Sequence, residues 1–159
     1  DQKAKATLEN ELVGLLVKGD DWAEALLSLC QSQVEACKPH LASLSERQEF
    51  LKGRQGLTDS EKAFMLAEES YFLSSIYETL NDKQAQTRWA ANCVEQMDKL
   101  PIETRKTRSV TQMLVPCLER KGDFSRAEKL LTELIKDYPN EPTFLVRLAR
   151  AKRKQKKFP

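Results

Sequence analysis

Lys18 to Leu29 reads KGDDWAEALLSL, and Lys121 to Leu131 reads KGDFSRAEKLL. Aligned on the aromatic residue, Trp22 stands over Phe124, Ala25 over Ala127 and Leu29 over Leu131. Each pair is 102 residues apart, three times 34. A phrase that returns at such an interval marks a chain assembled from one supersecondary unit used several times. A single unit of this kind cannot bury its own apolar face, so each must stack on a neighbour. That requirement excludes most other architectures before any single residue is considered.

Helical periodicity runs through the rest of the chain. Leu8, Leu12, Leu15 and Leu16 are spaced by threes and fours, which predicts a helix over 4–17. Gly19 ends it, and Asp20 or Asp21 can cap the next helix, which turns Ala25, Leu26, Leu29, Cys30 and Val34 inward until Pro39 stops it. A shorter pattern with Leu41, Leu44 and Leu51 runs to a loop at Gly53 and Gly56. Thr58 and Glu61 have capping-box spacing and open a long helix bearing Phe64, Ala67, Leu73, Ile76, Tyr77 and Leu80. After the turn Asn81-Asp82 comes a helix with Ala85, Trp89, Cys93 and Met97. Pro101 restarts the chain, and Leu114, Cys117 and Leu118 form the inner stripe of the helix that ends at Gly122. Pro116 falls inside that stripe, where its missing N–H should kink the helix. No strand pattern competes. The expected fold is all-α, seven or eight helices in antiparallel pairs within one domain spanning 1–159.

The unit has a grammar: Leu and a second large residue four positions on, a Gly or Asn turn, an aromatic, a small residue three further, and a closing Pro. This resembles the tetratricopeptide repeat, a 34-residue helix–turn–helix. Residues 108–141 carry it best, with Leu114, Leu118, Gly122, Phe124, Ala127, Leu131 and Pro139 all in place. Residues 66–99 follow with Leu73, Ser74, Tyr77 and Trp89, and residues 6–39 more loosely. A partial unit starts at 142 with Leu145, Leu148 and Ala149 and reaches Phe158. Its next small residue would fall beyond Pro159, so the chain is expected to stop within a unit, leaving the Leu145–Leu148 stripe half covered. Residues 40–58 read as an insertion bulging from one edge.

The resemblance implies a right-handed α-solenoid, irregular in its N-terminal half, whose first helices line a concave groove for a partner peptide or helix. Carried over unit by unit, the groove positions are Asn10; Tyr71, Ser75 and Glu78; Gln112, Glu119 and Arg120; and Arg150, Arg153 and Lys154. Some relatives grip a terminal carboxylate there through Lys and Asn. The corresponding positions here hold Asn10, Gly14 and Met113, so that clamp is not expected. The implied function is a non-catalytic protein-interaction scaffold, with proteins, within a complex, as its partners.

Chemistry-bearing motifs point the same way. The one histidine, His40, follows Cys30 and Cys37 at a spacing that fits no common zinc module and lacks a fourth ligand, so no metal is expected. No phosphate loop or nucleophile motif occurs, and no catalytic residue or cofactor is expected. Trp22, Trp89 and Phe124 read as packing residues rather than ligand anchors. No stretch of 18 apolar residues occurs, so no membrane insertion is expected. A disulfide framework is characteristic of smaller, loop-rich secreted chains. The four cysteines therefore read as reduced thiols filling small core positions, which places the chain in the cytoplasm or nucleus.

Charge is uneven. Arg147, Arg150, Lys152, Arg153, Lys154, Lys156 and Lys157 crowd into the last 18 residues with no acid among them. Three readings stand for this basic helix: a solvated face, a contact for an acidic protein segment, or a contact for nucleic acid. The last would make the chain an RNA-binding helical-repeat module. Base stacking would then favour exposed aromatics, and residues 149–158, ARAKRKQKKF, offer only Phe158.

Overall fold

The computed structural model describes residues 2–3 and 17–156. The helix expected over 4–17 lies outside them except for Val17, and so do Asn10 and Phe158. Among the described residues every regular element is helical. In chain order these are α1 (Trp22–Ser32), α2 (Val34–Cys37), a 3-10 stretch (Lys38–Ser43), α3 (Leu44–Lys52), α4 (Asp59–Thr79), α5 (Lys83–Met97), α6 (Ile102–Arg105), α7 (Arg108–Lys121), α8 (Phe124–Asp137) and α9 (Pro142–Lys154). Packing follows chain order: α1 lies on α4, α4 on α5, α5 on α7, α7 on α8 and α8 on α9. The buried side chains form three successive clusters, centred on Trp22 and Leu26, on Met97 and Leu114, and on Leu131 and Phe144.

The turn grammar has a physical basis. At the end of α7, Gly122 takes φ +93°, a left-handed angle that glycine adopts without penalty. The Asp123 N–H then reaches back to the Leu118 carbonyl at 2.8 Å and the Gly122 N–H to Glu119 at 3.1 Å. These two bonds satisfy carbonyls that a helix end leaves bare. Asn81 closes α4 in the same way at φ 57°, with Asp82 bonded to Tyr77 at 2.9 Å and Asn81 to Glu78 at 3.1 Å. Asp82 and Asp123 then cap α5 and α8 by accepting from the N–H groups of Ala85 and Arg126. The two turns are 41 residues apart, one fewer than Ala85 and Ala127. Gln86 rather than Ala85 is therefore the structural counterpart of Ala127.

The N-terminal part departs further from expectation. The helix does not run to Pro39 but breaks at Gln33 (φ −144°, ψ 86°). A disulfide between Cys30 and Cys37 spans the break, and Val34, expected inside, is exposed. A second disulfide joins Cys93 of α5 to Cys117 of α7. All four sulfurs lie in the core, as the periodicity predicts, but as two bridges. The expectation of four reduced thiols is corrected accordingly. It failed because helical spacing reports which face a cysteine occupies and says nothing of the cysteine across from it.

Residues 40–58 do not bulge. Their helix α3 buries Arg47 and Leu51. The Arg47 guanidinium forks onto Glu69 of α4, with Nε 2.8 Å from Oε1 and Nη2 3.2 Å from Oε2. Its Nη1 donates to the carbonyls of Val17, at 2.8 Å, and Gly19. The rings of Trp22 and Phe50 lie 5.7 and 5.6 Å from its charge centre. Next along α4, Glu68 has its pKa raised above the ordinary 4.5, by burial first and then by the neighbouring carboxylates of Glu24, Glu69 and Asp21. Leu145 and Val146 of α9 are 48% and 59% exposed, whereas Phe144 and Ala151 are buried, so the last apolar stripe is covered on one side.

Three outcomes test this description. Denatured without reductant, the chain should present no titratable thiol, and Cys93→Ser should cost about 3 kcal/mol, the loop-entropy value for a bridge spanning some two dozen residues. Arg47→Met should cost about 3–5 kcal/mol in denaturant unfolding, because Glu69 would stay buried without a counter-charge; Arg47→Met with Glu69→Leu should cost less than Arg47→Met alone. Glu68 holds its proton more tightly folded than unfolded, so stability falls as pH rises above 4.5. Glu68→Gln should therefore raise stability near neutral pH by about 0.5 kcal/mol, the scale of a partly exposed like-charge contact. That gain should vanish below pH 4.5.

Candidate functional site

Where α7 meets α4, α5 and α9, a polar cleft of about 260 Å³ opens. Its walls carry five cations and two carboxylates. α4 contributes Glu78, α5 Lys83 and Gln86, and α7 Pro116, Glu119 and Arg120. Phe124 closes one side, and Arg147, Arg150 and Lys154 line the cleft from α9. The spacing of 147, 150 and 154 is three then four, so α9 presents one basic edge to it.

Two of the arginines are fixed. Arg120 stretches from α7 to α4: its Nε lies 3.5 Å from Glu78, its Nη1 donates to the Ser74 hydroxyl at 3.2 Å, and its charge sits 5.4 Å from the Tyr71 ring centroid. Gln86 Nε2 reaches the same Glu78 carboxylate at 3.5 Å. Arg147 pairs with Glu119, whose second oxygen, Oε2, is buried without a partner among the described residues. Lys83, Arg150 and Lys154 are exposed and form no ion pair with a described carboxylate. The cleft thus has a rigid floor of paired charges and a rim of three unpaired cations. Pro116 has no N–H to offer the Gln112 carbonyl four residues back, and its buried ring forms part of the wall.

The groove positions expected from the sequence divide here. Glu78, Glu119, Arg120, Arg150 and Lys154 come together in this cleft. Tyr71 lies beneath Arg120 and supports it from below. Ser75 sits half-buried on α4 and its carbonyl accepts from Thr79 at 3.1 Å, away from the lining. Gln112 borders an adjoining cavity of about 200 Å³ beside Phe144, which shares Pro116 and Arg147 with the cleft. Arg153 is exposed on α9 outside the cleft. Asn10 lies outside the described residues. Lys83, Gln86, Phe124 and Arg147 are added. The first three begin second helices, which the resemblance assigns to packing. Arg147 could have been found from its heptad position relative to Arg150 and Lys154.

No histidine, cysteine or hydroxyl lines the cleft, whose polar groups are lysine, arginine, glutamate and glutamine side chains. Among the described residues no group of three or more His, Cys, Asp and Glu could hold a metal ion. No helix among them is long and apolar enough to cross a membrane. Comparison with protein-family models, with curated proteins and with solved structures gave no match.

Proposed function

We propose that this chain is a non-catalytic scaffold of tetratricopeptide-like units, stacked as a right-handed solenoid, that receives an acidic segment of a partner protein in the cleft between α4, α7 and α9. The observation that carries the reading is the rim of three unpaired cations over a floor already neutralised by Glu78 and Glu119. An incoming carboxylate would find cations not committed elsewhere, at a surface where charge steers encounter and selects partners. The matching closures of α4 and α7, each a left-handed residue followed by an aspartate cap, support the repeat. The nucleic-acid reading rests on the basic edge of α9 alone.

Cytoplasm or nucleus was expected from free thiols, and that ground is gone. Two buried disulfides fit an oxidising compartment instead.

The test is fluorescence anisotropy with a labelled twelve-residue Asp/Glu-rich peptide and a labelled single-stranded RNA of equal charge. Expected is saturable peptide binding that weakens with salt. It should fall at least about tenfold, or 1.4 kcal/mol, in Arg150→Glu/Lys154→Glu, and change little in Lys152→Glu, whose exposed residue lies outside the cleft. Tighter RNA binding, lost in the same double variant, would favour the nucleic-acid module. Binding of neither would overturn both.

A further inference from the structure

The break between α1 and α2 has no local cause. Residues 22–38 read WAEALLSLCQSQVEACK, without a glycine or proline to interrupt a helix. Yet α1 stops at Ser32, and Gln33 leaves the helical region at φ −144° and ψ 86°. No side chain caps the new start at α2, and Val34 is left 37% exposed. The Ser32 hydroxyl reaches the carbonyls of Ser28 and Leu29 at 3.1 and 3.2 Å, a contact that bends a helix but does not end one.

The Cys30–Cys37 bridge supplies the cause. In an unbroken α-helix, Cα atoms seven positions apart are separated by about 10.5 Å. Those of Cys30 and Cys37 are 4.8 Å apart, with a sequence separation of 7. A disulfide spans Cα separations of about 4.4–6.8 Å and no more without backbone movement. The bridge and an unbroken helix therefore exclude each other.

The same bend decides where α3 can reach. Along α1, Cys30 stands about 12 Å beyond Trp22, and the bridge keeps Cys37 within 4.8 Å of that level. In an unbroken helix Cys37 would stand about 22 Å beyond Trp22. From Cys37 the chain runs through the 3-10 stretch into α3 and must bring Arg47 back to the start of α1. There its charge lies 5.7 Å from the Trp22 ring centroid, and its Nη1 donates to the Val17 and Gly19 carbonyls. Six residues of 3-10 helix and four of α-helix cover about 18 Å. That reach suffices from the bent position and falls short from the straight one.

We propose that the Cys30–Cys37 bridge is the latch that makes the Arg47 clamp possible: it breaks the helix at Gln33, turns the chain back and delivers Arg47 to Glu69, Val17 and Gly19. Without the bridge, α1 runs on through Gln33 until Pro39 stops it. α3 then leaves its seat on α4, and Arg47 and Glu69 part and meet water. The clusters built on Met97 and Leu114 and on Leu131 and Phe144 include no residue of α1, α2 or α3, so the remainder of the array stands.

The test compares the full chain with Cys30→Ala/Cys37→Ala and with Cys30→Ser/Cys37→Ser, the second pair because serine favours helices less than alanine. The Val34 and Glu35 amides begin α2 and have no acceptor within it. In an unbroken helix they would donate to the carbonyls of positions 30 and 31, so their hydrogen exchange should slow at least about tenfold in both variants. Arg47→Met is then made with and without the bridge. The downward shift it causes in the urea midpoint should fall by at least about half in the bridgeless chains, where the clamp is already open. The proposal is overturned if Val34 and Glu35 exchange as fast as before, if Arg47→Met shifts the midpoint equally in both backgrounds, or if neither bridgeless chain folds cooperatively.

Discussion

Arg47 holds the N-terminal third of the molecule together. A guanidinium cannot be taken out of water unless each of its donors is met, and here one side chain meets a carboxylate on α4 and two backbone carbonyls ahead of α1. The chain leading into α1, the α3 segment and the long helix α4 are thereby fixed to one point. The rings of Trp22 and Phe50 lie against it, and the burial of Arg47 and Glu69 removes the water that would weaken the pair. Such an arrangement adds little net stability against an apolar equivalent, but it tolerates only one register. The N-terminal helices are set by this polar contact, whereas the later helices pack through apolar clusters.

That division explains what the sequence reveals. The closures at Asn81 and Gly122 are legible because a left-handed residue followed by an aspartate cap is local chemistry, complete within six residues. The boundaries of α7 and α8 follow from it directly. Arg47 and Glu69 are 22 positions apart in a charged, helical stretch where both look solvated. Nothing local marks them as partners. The same holds for Cys93 and Cys117, whose pairing depends on α5 crossing α7. Periodicity finds the face of a helix; it does not find what lies opposite.

The charged cleft shows the same limit from another side. Glu78, Glu119 and Arg120 are found by carrying positions from unit to unit, since they lie on first helices. Lys83 and Gln86 are missed because α5 is a second helix, expected only to pack. Lys83 and Gln86, at the start of α5, line the same cleft as Glu119 and Arg120 at the end of α7. The site therefore mixes both helix types.

The disulfide between Cys93 and Cys117 also has a mechanical consequence. A stacked array pulled from its ends comes apart unit by unit, each releasing its full contour length. The bridge subtracts a segment with a sequence separation of 24, which would otherwise extend by about 80 Å. It also ties α5 to α7, so these two helices cannot peel apart from one another. Under load the bridged segment 93–117 cannot extend, whereas α4, most of α5, α8 and α9 lie outside it and can.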